Sequence, residues 1–270
     1  MPLPENLSPD LDDAQLASAL VRNAGRLALA MRAEGLQGER KTSVSDVVTA
    51  ADKAAEKYVM SQLRTVRPDD GILGEEGARY LGNSGRTWVI DPVDGTYNFL
   101  SGSTYWCSAI ALQIDGADAL DPEVALGAVY QPQEEKLWLG GKDIPATLNG
   151  EPLQPPSQAG LDQLSAGTYL HPTWLGRPEA ATPWLAAASR LATFRLLGSG
   201  SCDLSRVAQG ELGCWFQHST ALWDWLPGKA IVLAAGGSTA VVQVNGLNWF
   251  LAGGSTAVAE LAEALGVPAS

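Results

Sequence analysis

Apolar residues recur with helical spacing over residues 9–34, where Leu16, Leu20, Leu27 and Met31 share one face. Ser8 is placed to cap this helix, Pro9 suits its first turn, and Gly35 ends it. A second helix is expected from about Ala50 to Leu63, with Thr49 as N-cap and Asp52 three residues on, as in a capping box. The period then changes. GILGEEG reads as a short strand entering a loop, and residues 87–91 as another strand. Residues 105–114 alternate, placing Trp106, Ser108, Ile110, Leu112 and Ile114 on one side. VALGAVYQP and EKLWLGG form an expected antiparallel pair around Gln133 and Glu134, and LNGEPL is a turn. The segment 154–160 is the best internal boundary. Beyond it, strand signals (SAGTYL, TFRLL, CWFQ, STAVVQV) alternate with helix signals at 180–191, 201–209, 224–235 and Thr256 to Leu265. This mixed order argues for layered α and β structure, not a simple run of βα units.

Composition narrows the classes. A chain of 270 residues can bury a sizeable core as one large domain or two coupled halves, and 46% apolar with 18% charged residues is a globular balance. The net charge of -12 argues against a nucleic-acid partner, because phosphate backbones are bound through basic clusters. An anionic substrate would therefore need a bound cation to attract it. Cys107, Cys202 and Cys214 form no CxxC, which fits reduced thiols and a cytoplasmic location. The opening MPLPENLSPDLDDAQ is acidic and does not read as a signal peptide. No run approaches the roughly 20 apolar residues of a membrane span, so no membrane partner is expected. With only His171 and His218, a zinc site of histidine and cysteine clusters is disfavoured, and no GxSxG elbow supports a serine hydrolase. Carboxylate chemistry with a hard cation remains.

The stretch WVIDPVDGTYNF (88–99) is where that chemistry concentrates. Asp91 closes an apolar strand, Pro92 is expected to stop pairing there, and Asp94-Gly95-Thr96 can open a helix. Gly95 lets a ligand approach the backbone, and amides at a helix N-terminus bind phosphate. Two carboxylates beside those amides would repel an anion unless divalent cations sit between them. The alternative is a turn with an Asx cap. The spacing fits neither a DxDx[TV] phosphoaspartate nucleophile nor an EF-hand loop. Glu75-Glu76 is a solvated pair or part of a site. KTSVSDVVTAAD, with Lys41, Asp46, Thr49 and Asp52, is a loop and helix start or part of a site. In ALWDWLPGKA, Asp224 is an N-cap or a carboxylate desolvated by Trp223 and Trp225, which favours pairing with a cation.

In succession, Lys41…Asp52, Gly74-Glu75-Glu76, Asp91-Pro92-Val93-Asp94-Gly95-Thr96 and Trp223-Asp224 resemble the inositol monophosphatase family over nearly the whole chain. These are Mg²⁺-dependent, lithium-sensitive phosphomonoesterases related to fructose-1,6-bisphosphatases. The resemblance implies an α+β fold, a layered αβαβα sandwich. Residues 1–155 would carry most metal ligands, and 156–270 would supply Asp224 and substrate-side residues, as one structural unit. By the same resemblance Glu75, Asp91, the Val93 carbonyl, Asp94 and Asp224 hold two to three Mg²⁺ ions. Asp52 and Thr96 orient and deprotonate the attacking water, with Glu75 beside them. Gly95 and Thr96 give amides to the phosphate, Gly198 and Gly200 of GSGS contact the substrate, and Lys41 sits on a loop near the metals. The implied substrate is a small phosphorylated alcohol, inositol 1-phosphate first. Histidinol phosphate, fructose bisphosphate and the 3'-phosphate of sulfonucleotides stay open. A different class is a protein-interaction module, since some bacterial relatives act with the transcription machinery. Family members are usually dimers, so a homodimer is implied.

Some positions depart from the family. Gln217 stands seven residues before Asp224, where many members carry a glutamate that binds a substrate hydroxyl. Glutamine both donates and accepts, whereas an ionised glutamate only accepts. Trp225-Leu226-Pro227-Gly228 replaces a run of small residues, and Tyr97 follows Thr96 where a second threonine is common. His218 beside Gln217 either faces the substrate or packs as an ordinary core or surface residue.

Overall fold

The computed structural model describes residues 6–35, 38–40, 47–116 and 118–267, with backbone alone at 38–40 and 47–49. Lys41, Asp46 and the side chain of Thr49 therefore lie outside the described residues. The helices are α1 (Asp13–Ala33), α2 (Ala50–Val66), α3 (Thr96–Leu100), α4 (Pro178–Ala188), α5 (Gly200–Gln209), α6 (Leu222–Ala234) and α7 (Ser255–Leu265). Strands β1 (Gly38–Arg40) and β2 (Val47–Thr49) pair with each other. A large sheet joins β3 (Gly71–Gly74), β4 (Arg79–Tyr80), β5 (Arg86–Asp94), β6 (Cys107–Ile114), β7 (Val124–Gln131), β8 (Lys136–Gly141), β9 (Ile144–Leu148) and β10 (Glu151–Pro152) in the order 10-9-8-7-6-5-3-4. A smaller sheet joins β11 (Ser165–Thr168), β12 (Thr193–Arg195), β13 (Cys214–His218), β14 (Ser238–Val244) and β15 (Leu247–Gly253) in the order 12-11-13-15-14.

Alternation along the strands of the large sheet assigns the layers. Trp88 and Ile90 of β5, with Ile110 and Leu112 of β6, pack among Leu16, Leu20, Val59 and Leu63 of α1 and α2. Val89, Ala109 and Ala111, their neighbours in sequence, face the other way, toward Leu204 and Val207 of α5 and Trp225 and Ile231 of α6. The far side of α5 and α6 meets Trp215 and Phe250 of the smaller sheet. Cys214, Phe216, Trp249 and Leu251 of that sheet then pack on Ala187 of α4 and Ala257 and Leu261 of α7. The layers run α1/α2, large sheet, α5/α6, smaller sheet, α4/α7. This is the αβαβα sandwich, with its largest cluster between the sheets.

Several local expectations are corrected. α1 begins at Asp13, not at Pro9. Asp12 accepts from the Gln15 amide at 2.8 Å while the Gln15 side chain accepts from the Asp12 amide, so the capping box sits four residues later than Ser8. The Ser8 hydroxyl is used instead by the Asp10 amide at 3.2 Å. β5 does not stop at Pro92 but continues to Asp94 through a bulge. Asp224 is not an N-cap. α6 starts at Leu222 after Ala221, and Pro227 lies inside it. The hairpin partner β15 carries no counterpart in the sequence reading. Its turn, Asn245-Gly246 with φ of 51° and 78°, is a strong hairpin signal.

Candidate functional site

The bulge in β5 decides where two aspartates point. Asp91 lies opposite Ala109 and Asp94 opposite Cys107, so three steps on β5 match two on β6. In a regular strand residues three apart project to opposite faces. The extra residue cancels that alternation, and bulges re-aim side chains in this way beside functional sites. Pro92, which has no amide to pair, falls within the irregularity. The result is that Asp91, Asp94 and Asp224 offer ligand atoms all within 4.8 Å of one another. Asp224 reaches the cluster from the first turn of α6, across the sheet-to-sheet layer.

Asp94 is held from the far side by α5. Its Oδ2 accepts from the Ser201 amide at 2.6 Å and the Ser199 hydroxyl at 3.0 Å, with the Cys107 thiol at 3.9 Å. Ser199 is also the N-cap of α5, accepting from the Cys202 amide at 3.4 Å. Glu75 follows β3, and its amide donates to Ile90 at 3.3 Å. Glu56 of α2 fixes the same loop, accepting from the Glu76 and Ala78 amides at 2.8 Å each.

Burial, and at Asp91 and Asp224 the neighbouring charges, raise the pKa values of this cluster. Burial pushes Asp91 well above the usual carboxylate range, and Glu75, Asp94, Asp224 and Asp52 add to it. Burial also raises Asp94, against the lowering bonds from Ser201 and Ser199. Asp224 is pushed up by burial and then by Asp94 and Glu75. An all-oxygen donor set that its own repulsion disfavours is suited to a hard divalent cation such as Mg²⁺. The donor chemistry therefore fits a metal centre.

Beside the cluster, Gly95 adopts the left-handed region (φ 93°) and is the N-cap of α3. A Cβ there would meet the Gly198 carbonyl at 3.1 Å and the Ser199 Cβ at 3.2 Å, so the turn and the start of α5 form one wall. Asn98 locks them together, donating to Tyr105 O at 2.8 Å and Leu197 O at 2.7 Å. The Thr96 hydroxyl lies 3.3 Å from Asp52 Oδ1 and 3.1 Å from the Val93 carbonyl. Asp52 and Val93 are buried beneath it.

All this opens on a cleft of about 450 Å³. Glu75, Asp94, Gly95, Thr96, Gly198, Gly200, Gln217 and Asp224 line it, so the structure brings together most residues singled out in the sequence. His218 is not among the lining residues. It is buried between Trp174 and Trp249, at ring separations of 4.8 and 5.1 Å, and burial lowers its pKa. Residues that sequence reasoning missed are Glu56, Asn98, Ser199, Ser201, Tyr169, Asp203 and Thr220. Asp203 lines the cleft and accepts from the Tyr105 hydroxyl at 2.6 Å, and burial pushes its pKa up to about 8.

Residues 11–266 match the model of the inositol monophosphatase family. The chain belongs to this family. It is 33% identical over 203 residues, 75% of this chain and 70% of the relative, to the Nus factor SuhB of Xylella fastidiosa. It is 31% identical over 197 residues to the inositol-1-monophosphatase of Rhizobium meliloti, covering 72% of this chain and 71% of that one. The solved inositol monophosphatase of Anabaena (Nostoc) sp. PCC 7120 superposes with a TM-score of 0.78 at 25% identity, over 93% of this chain and 94% of that one. Family membership supports a phosphatase. No helix among the described residues is long and apolar enough to cross a membrane.

Proposed function

We propose that this chain is a Mg²⁺-dependent phosphatase of a small phosphorylated alcohol, with inositol 1-phosphate as the first candidate. The observation that carries the reading is the convergence of Asp91, Asp94 and Asp224 beside the Gly95-Thr96 turn. In this reading Glu75, Asp91, the Val93 carbonyl, Asp94 and Asp224 hold the ions. When bound, Mg²⁺ supplies positive charge to the phosphate and acidifies the attacking water. Asp52 accepts from the Thr96 hydroxyl, whose oxygen is then free to accept from water and hold it in line. The proton passes toward Asp52. The left-handed turn at Gly95 aims the Gly95 and Thr96 amides at the phosphate, as oriented donors do at a developing anion. Gly198 and Gly200 bring the α5 start close to the alcohol, and Gln217 meets its hydroxyls. Lithium sensitivity, a homodimer and a cytoplasmic location complete the reading.

The test is phosphate release from inositol 1-phosphate, histidinol phosphate and fructose 1,6-bisphosphate, with Mg²⁺, without it, and with added Li⁺. Release that requires Mg²⁺ and falls with Li⁺ is expected. No release from any member refutes the proposal. A second reading, an interaction role without turnover, draws on the relatives named Nus factor SuhB. It requires a folded protein that is inactive across the panel.

A further inference from the structure

Helix α2 carries two buried acids one turn apart, Asp52 and Glu56. Asp52 meets the Thr96 hydroxyl. Glu56 reaches a different part of the site, where β3 and β4 pair antiparallel and the loop between them holds Glu75. Each oxygen of its carboxylate accepts from one amide of that loop. Oε2 takes the Glu76 amide and Oε1 the Ala78 amide, both at 2.8 Å. Bonds to an ionised acceptor are the stronger kind, and burial of Glu56 shields them from water. The sequence also leaves room for the carboxylate. A Cβ on Gly74 would collide with Glu56 Oε2, and Gly77 turns the loop in the left-handed region (φ 107°).

The loop is tied down on both sides of Glu75. The Glu75 amide donates to Ile90, next to Asp91, at 3.3 Å, and the Gly74 amide donates to the Ala78 carbonyl at 2.7 Å. Glu56 adds the residue after Glu75 and the residue where the chain leaves the loop. A short loop in this place needs such ties, because Glu75 stands among like charges. Of the charges that act on Asp91, Glu75 raises its pKa most, and Glu75 also raises that of Asp224. A loop free to move would carry Glu75 outward and relieve that repulsion. Two bonds from a buried helix oppose the movement.

We propose that Glu56 is a positioning residue that holds the Glu75 carboxylate at the acidic cluster and thereby sets the Mg²⁺ affinity of the site. The inference rests on Glu75 being a metal ligand, as in the proposed function, and Glu56 acts through the loop amides. Its test is a double-mutant cycle of Glu56→Gln and Glu75→Gln. Glutamine keeps the size of the side chain and one acceptor oxygen, but turns an NH₂ donor toward the other loop amide. Mg²⁺ affinity is read without substrate, from the rise of Tm with Mg²⁺ concentration, and again from the Mg²⁺ dependence of phosphate release. Glu56→Gln should weaken Mg²⁺ binding about tenfold, while kcat at saturating Mg²⁺ stays within about threefold of wild type. In the Glu75→Gln background the same substitution should change Mg²⁺ binding less than about twofold, because the ligand it positions is gone. Glu56→Asp keeps the charge but withdraws it from the loop amides, and should weaken binding by about as much as glutamine does. Equal weakening in both backgrounds, or wild-type affinity in Glu56→Asp, overturns the inference, since the charge of Glu56 and not its bonds then acts. A fall in kcat at saturating Mg²⁺ with unchanged affinity overturns it too. Unchanged affinity in Glu75→Gln alone removes Glu75 from the metal set and the inference with it. Mg²⁺ binding that follows the cycle in a protein that releases no phosphate refutes the phosphatase reading and supports the inference.

Discussion

Replacing Asp94 by Asn removes one charge from the carboxylate cluster and keeps the shape of the side chain. The retained oxygen can still accept from the Ser201 amide and the Ser199 hydroxyl, so α5 stays docked. At 4.8 Å, the outer limit of the cluster, two unit charges repel by about 3.5 kcal/mol at an effective dielectric of 20. Asp94 has two such neighbours, Asp91 and Asp224. Proton uptake relieves much of this repulsion, since burial raises the pKa of all three groups and neighbouring carboxylates raise those of Asp91 and Asp224 further. Without metal, then, the Asn variant should be more stable than wild type by about 1–3 kcal/mol, or about 2–4 °C in Tm per kcal/mol. Mg²⁺ should reverse the order. Wild type gains stability as the ion binds the folded state, and the variant gains much less. Phosphate release should fall by at least about a hundredfold, since even outer partners of metal ligands are worth 10–100-fold. Melts with EDTA and with Mg²⁺, beside phosphate release, measure every part. Turnover retained in excess Mg²⁺, or an equal Mg²⁺-induced rise in Tm for both proteins, would refute the assignment of Asp94.

Two more predictions test selectivity and fold. Gln217→Glu should raise kcat/KM for histidinol phosphate relative to inositol 1-phosphate by about tenfold, because a carboxylate in the cleft attracts the ammonium group. An unchanged ratio removes Gln217 from substrate selection. Asp70 is buried, which alone would raise its pKa, but bonds from Arg86, Ser84 and Trp88 hold it below the ordinary carboxylate value. A depressed folded pKa gives stability that is present above the unfolded value near pH ~4 and lost as pH falls through the folded one. Asp70→Asn should therefore cost about 2–3 kcal/mol at pH 7, and its gap from wild type should shrink toward pH 3 in urea titrations. A gap that stays constant with pH contradicts the sign.

How much of this was legible depends on the range of each contact. The period-2 run of β6 and the helical face of α1 are readable, because one element's pattern reports which faces are covered. So are Asp91, Asp94 and Asp224 as acidic residues of one site, through the order of motifs. The bulge is not, because Pro92 predicts a break in pairing and only the register with β6 shows that the strand continues past it. Ser199 and Ser201 looked like parts of a glycine-rich stretch, and their bonds to Asp94 cross more than a hundred residues of chain. Glu56 gave no signal either. On α2 it looks like any acidic residue of a solvated helix, yet it is buried and carries two amides of the Glu75 loop.

The bulky run after Trp223-Asp224 has a physical account in the same layer. Trp225 and Leu226 are fully buried, and Trp225 stacks on Trp215 at 5.9 Å and meets Phe250 edge-on at 5.3 Å. Its indole nitrogen donates to Asp121 at 2.9 Å, and Lys229 one turn on reaches the same carboxylate at 2.6 Å. Room for this helix comes from β7. A Cβ on Gly127 would collide with the backbone of Pro227, so the absence of a side chain there lets α6 lie against the large sheet. Small residues after the aspartate are thus one solution to bringing α6 close, and a glycine in the facing strand is another. The choice matters for the site because α6 carries Asp224, which Asp94 and Glu75 repel. Apolar burial by Trp215, Trp225 and Phe250, at about 25 cal/mol per Å², is the force available to hold α6 against that repulsion. Catalytic geometry here depends on a core that lies beside the carboxylates, between the two sheets.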